Sequence, residues 1–480
     1  MHYQNFSNIF ISIVIFFSYL QAQDIPQKDN VTINDFSRLN STQIHHINTP
    51  TSYQELQSIL AYADQNNLKI AVSGIRHSQG GHAFYRNAII INLEKLNKIL
   101  DFNPHEKLIT VQAGATWEQL QEFLHGHGFA VKIMQYANIF SLGGSLSVNC
   151  NGIDPHYGPL IESVESIKIL QADGSIIIAS RSENSELFCL AIGGYGLCGI
   201  ILEVTLQVVK DDLYKPAITT TSIHDYTKKI KMLLKNPNMG FHFAFLTLTP
   251  FKKNLFGKIV CLDFNKIDPA QFSDKKQKKI RQLQQPQFTK IKKMGVKLWS
   301  KSKIIKAFHW IPETKKYNKV ISRNNIMRPP VDHMCINSLK STHLLQEYFI
   351  PIDKFTQFIQ SLEKITQQLN VNIMHIALRY IPKNTESYLN YTSTDRIGIV
   401  ILLNQKFTEQ DYKKTEQWTQ KLIESAYTLG GAYYLPIQLH ATKDQALKTY
   451  PQLDNFFALK KSYDPAELFM NHFYKKYCTT

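Results

Sequence analysis

His77 is the chemically interesting member of the glycine-bearing run Ala71-Val72-Ser73-Gly74-Ile75-Arg76-His77-Ser78-Gln79-Gly80-Gly81, where its ring could touch a bound cofactor. Glycines let backbone amides approach phosphate oxygens, and closely spaced amides in a turn make an anion nest without a lysine. An imidazole beside such a nest can touch whatever the nest holds. Two later runs share this character, Ile139 to Gly152 (IFSLGGSLSVNCNG) and Gly193-Gly194-Tyr195-Gly196-Leu197-Cys198-Gly199-Ile200-Ile201. Separate amide-lined turns suit the two ends of a dinucleotide. The expected contacts are Ser73, Gly74, Ile75, Arg76, His77, Ser78, Gln79 and Gly80 from the first turn. Ser141, Gly143, Gly144, Ser145, Ser147 and Asn149 would come from the second, and Gly194, Gly199 and Ile200 from the third.

Regular elements must carry these turns. Leu56, Ile59, Leu60 and Ala63 recur at helical spacing, and Leu68 to Val72 reads as a strand running into the first turn. Ala88 to Leu93 and Leu108 to Gly114 read as further strands. Thr116 with Gln119 makes a capping box for a helix whose apolar face is Leu120, Phe123 and Leu124. Val164 to Leu170 and Ile176 to Ala179 form a hairpin around Asp173-Gly174. Near residue 211 the glycine rhythm ends. Strands at Phe241 to Leu246 and His375 to Tyr380 then alternate with helices near 223–234, 353–368 and 408–427, as in an α+β second lobe. A short helix over Phe456 to Lys460 and a turn at Asp464 to Phe469 follow, and no internal repeat is visible.

A chain of 480 residues is longer than one core normally organises, so two lobes are expected. Apolar residues at 44% and aromatics at 11% exclude a disordered chain. Ile9 to Leu20 is apolar but short for a membrane span, and Ala22 suits the last position before a cleavage site, so the segment reads as an export signal. The expected division is a signal over 1–22, a lead-in over 23–44, a cofactor domain over 45–210, a substrate or cap domain over 211–445 and a returning segment over 446–480. Six scattered cysteines without a CxxC pair exclude a disulfide scaffold and a four-cysteine metal cluster, and no spaced ligand set argues for a catalytic metal. Export would permit a Cys189–Cys198 bridge, and buried thiols fit that spacing equally well. The net charge of +16 is uneven. Asp274 to Lys306 carries twelve Lys or Arg, among them Lys275, Lys276, Lys278, Lys279, Arg281, Lys290, Lys292 and Lys293, against one acid. Interleaved Ile280, Ile304, Ile305 and Trp299 suit peripheral contact with an anionic membrane; a solvated helical insertion is the plainer alternative. No motif supports nucleic-acid binding.

No GxGxxG opens a βαβ unit, which disfavours a nicotinamide site, and no GxSxG elbow supports a serine hydrolase. The three turns, in this order, together with the Tyr463-Asp464-Pro465 to Phe469 turn, resemble the two-domain FAD-linked oxidoreductases of the vanillyl-alcohol oxidase type, with a PCMH-type FAD-binding domain. The resemblance implies a two-lobed α+β fold with an α+β substrate or cap domain. It implies FAD as the cofactor, attached in some members through a loop histidine at the position of His77 to the flavin C8 methyl group. Cys150 lies near the second turn, but doubly attached members place their second cysteine differently, so a bond from Cys150 to the flavin is disfavoured. Leu439-His440-Ala441-Thr442-Lys443-Asp444 with Tyr450-Pro451, and Leu344 to Pro351, resemble decaprenylphosphoryl-ribose oxidase and the sugar-alcohol oxidases.

The resemblance further implies oxidation of a CH–OH donor such as a sugar, polyol or lipid-linked glycoside, by hydride transfer to flavin N5, with oxygen or another electron acceptor. Reduction of an activated C=C bond and a noncatalytic flavoprotein are the alternatives. Such oxidation needs a group to take the hydroxyl proton. Lys443 and His440 are the candidates, with Gln346 and Tyr348 on one strand face as orienting groups and Arg379 as a binder of an anionic group.

Overall fold

The structure, a computed structural model, describes residues 31–251, 254–284, 302–308, 311, 314, 317–329 and 340–478. The first lobe holds two sheets. In a small parallel sheet, Ile89–Asn92 lies between His46–Asn48 and Ile70–Ser73. The helix Tyr53–Gln65 makes the crossover between the outer two and buries Leu56, Ile59, Leu60 and Ala63, the face its periodicity marks. An antiparallel sheet then runs Ile176–Ser180, Val164–Leu170, Ile200–Lys210, Leu108–Gln112, Ile99–Asn103, with Phe129–Val131 also paired to Ile200–Lys210. Thr116 and Gln119 close the expected capping box on the helix Trp117–Gly126. Gly174, with φ at 83°, turns the hairpin between Val164–Leu170 and Ile176–Ser180, a left-handed position that a side chain would strain.

The second lobe is one eight-stranded antiparallel sheet in the order Ile321–Ser322, Leu213–Thr221, Phe256–Ile267, Met239–Leu248, Ile373–Ile381, Arg396–Lys406, Ser341–Pro351, Ala432–Tyr433. The helices Phe355–Leu369 and Glu409–Thr428 cover one face and are joined by Trp418, whose Nε1 donates to Thr366 Oγ1 at 3.0 Å. The other face looks toward the first lobe. Strand alternation therefore decides which residues meet helices and which meet the space between the lobes.

Several contacts fix the lobes together. Arg323 is buried and donates to the carbonyls of Val131 at 3.1 Å and Lys132 at 2.6 Å, while its Nη1 meets Asp154 Oδ2 at 2.9 Å. Gln79 Oε1 accepts from Leu345 N at 2.8 Å, which ties the first turn to the second sheet. After the second lobe the chain comes back: Ile70 N donates to Leu468 O at 2.7 Å and Met470 N to Ile70 O at 2.8 Å. Asp464 holds that return by accepting from Leu468 N and Phe469 N, both at 2.8 Å, and by a buried pair with Lys460 at 3.0 Å.

Several details differ from the sequence reading. The lead-in contains strands, Val31–Ile33 paired with Thr42–Ile44, and directly after it His46–Asn48 joins the parallel sheet. Short polar strands of three residues carry too little alternation to be read in advance. Cys189 and Cys198 are free thiols, so the bridge that export would permit is not formed. The basic segment supplies an exposed helix, Asp274–Arg281, and another, Lys303–Phe308; Lys290, Lys292, Lys293 and Trp299 lie outside the described residues, as do the export segment and Cys335.

Candidate active site

Between the lobes lies a cavity of about 1310 Å³, bordered by all three glycine-rich turns and by the open face of the eight-stranded sheet. This exceeds the roughly 300–1,000 Å³ of a site for a drug-sized molecule, so it has room for an extended ligand and a second small one. Ser73, Gly74, Ile75, Arg76, His77, Ser78 and Gln79 border it from the first turn; Ser141, Gly143, Gly144, Ser145 and Ser147 from the second; Gly199 and Ile200 from the third. Gly80, Asn149 and Gly194 support these turns instead. A Cβ on Gly80 would press on the Ile437 carbonyl and one on Gly194 on the Leu190 carbonyl, and Asn149 Oδ1 accepts from Ile161 N at 3.0 Å.

The cradle fits a dinucleotide by what it leaves out. A Cβ on Gly74 would enter Ser141 Oγ, so the first turn closes on the second only where a side chain is missing, and one on Gly143 would meet Ala113 at the end of the strand Leu108–Gln112. Arg76, Asn149 and Tyr195 hold φ at 59°, 43° and 56°, a region that costs about 1–3 kcal/mol outside glycine and clusters at functional sites. Ile75 stays 40% exposed at the cavity edge, an apolar side chain in want of cover. His82 borders the same cavity. It is buried against Tyr195 and Phe473, and neither ring nitrogen closes a full hydrogen bond, although the Leu435 carbonyl stands near one of them.

Burial sets the charge state of the groups that could react here. It pushes the His77 imidazole down to about 4, leaving it neutral with a free lone pair at neutral pH. The Cys150 thiol is pushed up to about 12 by burial, so it is a protonated thiol rather than a nucleophile.

At the sheet side of the cavity stands a polar cluster. Arg379 Nη1 donates to Asn151 Oδ1 at 2.8 Å and Nη2 lies 3.5 Å from Glu347 Oε1; Asn151 Nδ2 donates to the same oxygen at 3.4 Å. Arg379 and Glu347 come from strands that both pair with Arg396–Lys406, one on each side of it. They reach each other because the intervening strand carries Gly398, where a Cβ would stand 3.1 Å from Arg379 Cγ and 3.6 Å from Glu347 Oε1. Tyr434, another cavity residue, donates its hydroxyl to Val148 O at 2.8 Å and so joins the second lobe to the second turn.

Of the four residues expected to serve proton transfer and orientation, Gln346 alone borders the cavity among the described residues. Gln346 and Tyr348 do share a face of Ser341–Pro351, and it is the helix-covered one: Gln346 Nε2 donates to Thr419 Oγ1 at 3.2 Å, and Tyr348 donates to Gln346 Oε1 at 3.1 Å. Gln346 borders the cavity while its amide points into that network. His440 is buried in the same network, Nδ1 3.1 Å from Thr419 Oγ1, with burial and then Lys476 pushing it down to about 3. Lys443 opens the helix Lys443–Thr449 and is exposed. Neither His440 nor Lys443 borders the cavity among the described residues. Nothing in their local sequence marks Glu347 or Asn151 as a site residue, whereas Gly398, an isolated glycine within the Ile- and Val-rich strand RIGIVILL, marks a close approach.

Residues 44–180 match the family model described as FAD binding domain, and residues 256–477 match the model described as D-arabinono-1,4-lactone oxidase. The chain is 32% identical over 160 residues to the L-gulonolactone oxidase of Mus musculus, covering 33% of this chain and 36% of that protein. It is 27% identical over 210 residues to the mitochondrial L-galactono-1,4-lactone dehydrogenase of Arabidopsis thaliana, covering 44% and 33%. With the D-arabinono-1,4-lactone oxidase of Yarrowia lipolytica the identity is 32% over 164 residues, covering 33% and 31%. These matches span about a third of the length of each relative.

Proposed function

Because the chain belongs to the PCMH-type FAD-binding oxidoreductases with a C-terminal domain of the lactone-oxidase kind, we propose that it oxidises a CH–OH group of a sugar-derived substrate, an aldonolactone or a related polyol. The observation that carries this reading is the Arg379–Asn151–Glu347 cluster across one cavity from a glycine cradle. FAD, when bound by the three turns, supplies the two-electron acceptor. Arg379 and Asn151 present fixed donors to the hydroxyl or carbonyl oxygens of the substrate. Glu347 accepts a substrate hydroxyl and takes its proton as the C–H bond breaks. Phe243, Phe245, Val400 and Leu402 wall the cavity with apolar surface that excludes water. His440 acts at a distance, holding Gln346 through Thr419 on the far face of the strand that carries Glu347.

Three further readings belong to this proposal. His77 carries a covalent link to the flavin, supported by its neutral ring at the cavity wall. The segment Ile9 to Leu20 directs export, supported by its composition alone; among the described residues no helix is long and apolar enough to cross a membrane. The protein touches an anionic membrane face through its basic helices, supported by Ile304 and Phe308, which are 63% and 58% exposed beside the cavity residue Ile305.

The test is a panel of aldonolactones, alditols and aldoses with the purified flavoprotein, read with oxygen and with a dye acceptor. Substrate-dependent flavin bleaching by a lactone or polyol supports the reading; a fully flavin-loaded protein that no member of the panel reduces overturns it.

A further inference from the structure

The chain ahead of the first turn folds back and grips it. The Phe36 ring lies on the His77 imidazole with centroids 4.7 Å apart and planes at 18°, while Phe140 meets the same ring edge-on at 4.7 Å and 82°. Phe36 N donates to Arg76 O at 3.0 Å. Next to it, the buried Asp35 carboxylate accepts from Ser37 Oγ at 2.6 Å, Ser37 N at 3.0 Å, Asn40 Nδ2 at 2.7 Å and Gly81 N at 3.1 Å. Asn40 Nδ2 also donates to Gln79 O at 2.7 Å, and Gln438 Nε2 to Ser37 Oγ at 2.9 Å. Three points of the turn, Arg76, Gln79 and Gly81, thus hang on residues 35–40, which precede the matched FAD binding domain.

We propose that residues 35–40 form a strap belonging to the cofactor site, in which Phe36 is a positioning residue that fixes the plane of the His77 imidazole for attachment to the flavin. A face contact and an edge contact from two rings restrain both tilt and rotation of the imidazole between them. A ring held so presents one nitrogen to the cavity in a single direction, which is what bond formation needs. This inference rests on the reading that His77 carries the flavin. In that reaction a ring nitrogen of His77 forms a bond to the C8 methyl carbon. The methyl group gives up one proton, the imidazole gives up its own, and the flavin keeps the electron pair; oxygen or the enzyme's other two-electron acceptor then removes it.

The strap has a backbone part and a ring part, and they separate by substitution. Phe36→Leu keeps an apolar side chain and removes the ring, Phe36→Tyr keeps the ring, and Asp35→Asn keeps the shape and removes the charge that gathers four donors. Each full-length variant is expressed with riboflavin, and the flavin that stays with acid-precipitated protein is measured beside Tm. The expected result is a several-fold loss of acid-stable flavin in Phe36→Leu and Asp35→Asn, with Phe36→Tyr near the parent. Parent levels in both Phe36→Leu and Asp35→Asn overturn the strap. If acid releases all flavin from the parent protein, the covalent reading fails and the strap is judged by flavin dissociation from native protein. Several-fold faster release from Phe36→Leu than from Phe36→Tyr then supports it, and equal release overturns it. Should Phe36→Leu not fold, Asp35→Asn decides by the same measurements.

Discussion

Glu347 illustrates how one residue of strand register selects a site. Alternation along Gln346-Glu347-Tyr348 shows which residues share a face, but the two faces of this strand are both buried, so the sequence does not say which one meets the cavity. Two amphipathic helices claim the side of Gln346 and Tyr348, leaving Glu347 for the cavity. The expected outcome of Glu347→Gln is a loss of about 10²- to 10⁴-fold in kcat/KM, the usual range for removing a proton acceptor, with flavin content and Tm near the parent. Steady-state kinetics with the best substrate of the panel checks this; unchanged kcat/KM would sink the role of Glu347. His77, by contrast, was legible from its neighbours, because a glycine turn at a strand end limits where a side chain can go. His440 and Lys443 stand out only by the likeness of a short segment, and a short segment does not encode which neighbours its side chains reach.

At the scale of elements, glycine-rich turns and the capping box were readable because their chemistry is local: Thr116 finds Gln119 three residues away, and Gly174 needs only its own φ. The meeting of Arg379 and Glu347 was not readable, since it depends on two strands taking opposite sides of a third and on the missing side chain at Gly398. Gly398→Ala would introduce a methyl group into tight contact with Arg379 and Ile381 without altering any backbone hydrogen bond of the strand. The expected outcome is a rise in KM of roughly tenfold, equivalent to about 1.4 kcal/mol of binding, with a smaller change in kcat. Gly398→Val should be worse than Gly398→Ala in the same assay, and equal behaviour of parent and both variants would show that the cluster does not bind substrate.

For the molecule as a whole, histidines held neutral by burial, His472 among them, should make the fold acid-sensitive. His77, His82 and His440 are lowered from an ordinary value of 6.5 to about 4, 3 and 3, in each case first by burial. Between 6.5 and those values the unfolded chain binds protons that the folded chain refuses, so the stability they contribute is present above pH 6.5 and drains away as pH falls toward 4 and below. Tm measured from pH 7.5 to 4.5 should therefore drop once pH passes below 6.5. His440→Gln, which keeps a partner for Thr419, should make the drop shallower by about one proton in the pH slope of unfolding free energy; an unaltered slope would refute the assignment.

The strand Ile70–Ser73, from which the first turn springs, pairs with Ile89–Asn92 on one edge and meets Leu468 and Met470 on the other. A ribosome delivers those partners almost four hundred residues after the strand itself. The lobe begun first must consequently wait, with that strand edge open, through synthesis of the whole second lobe.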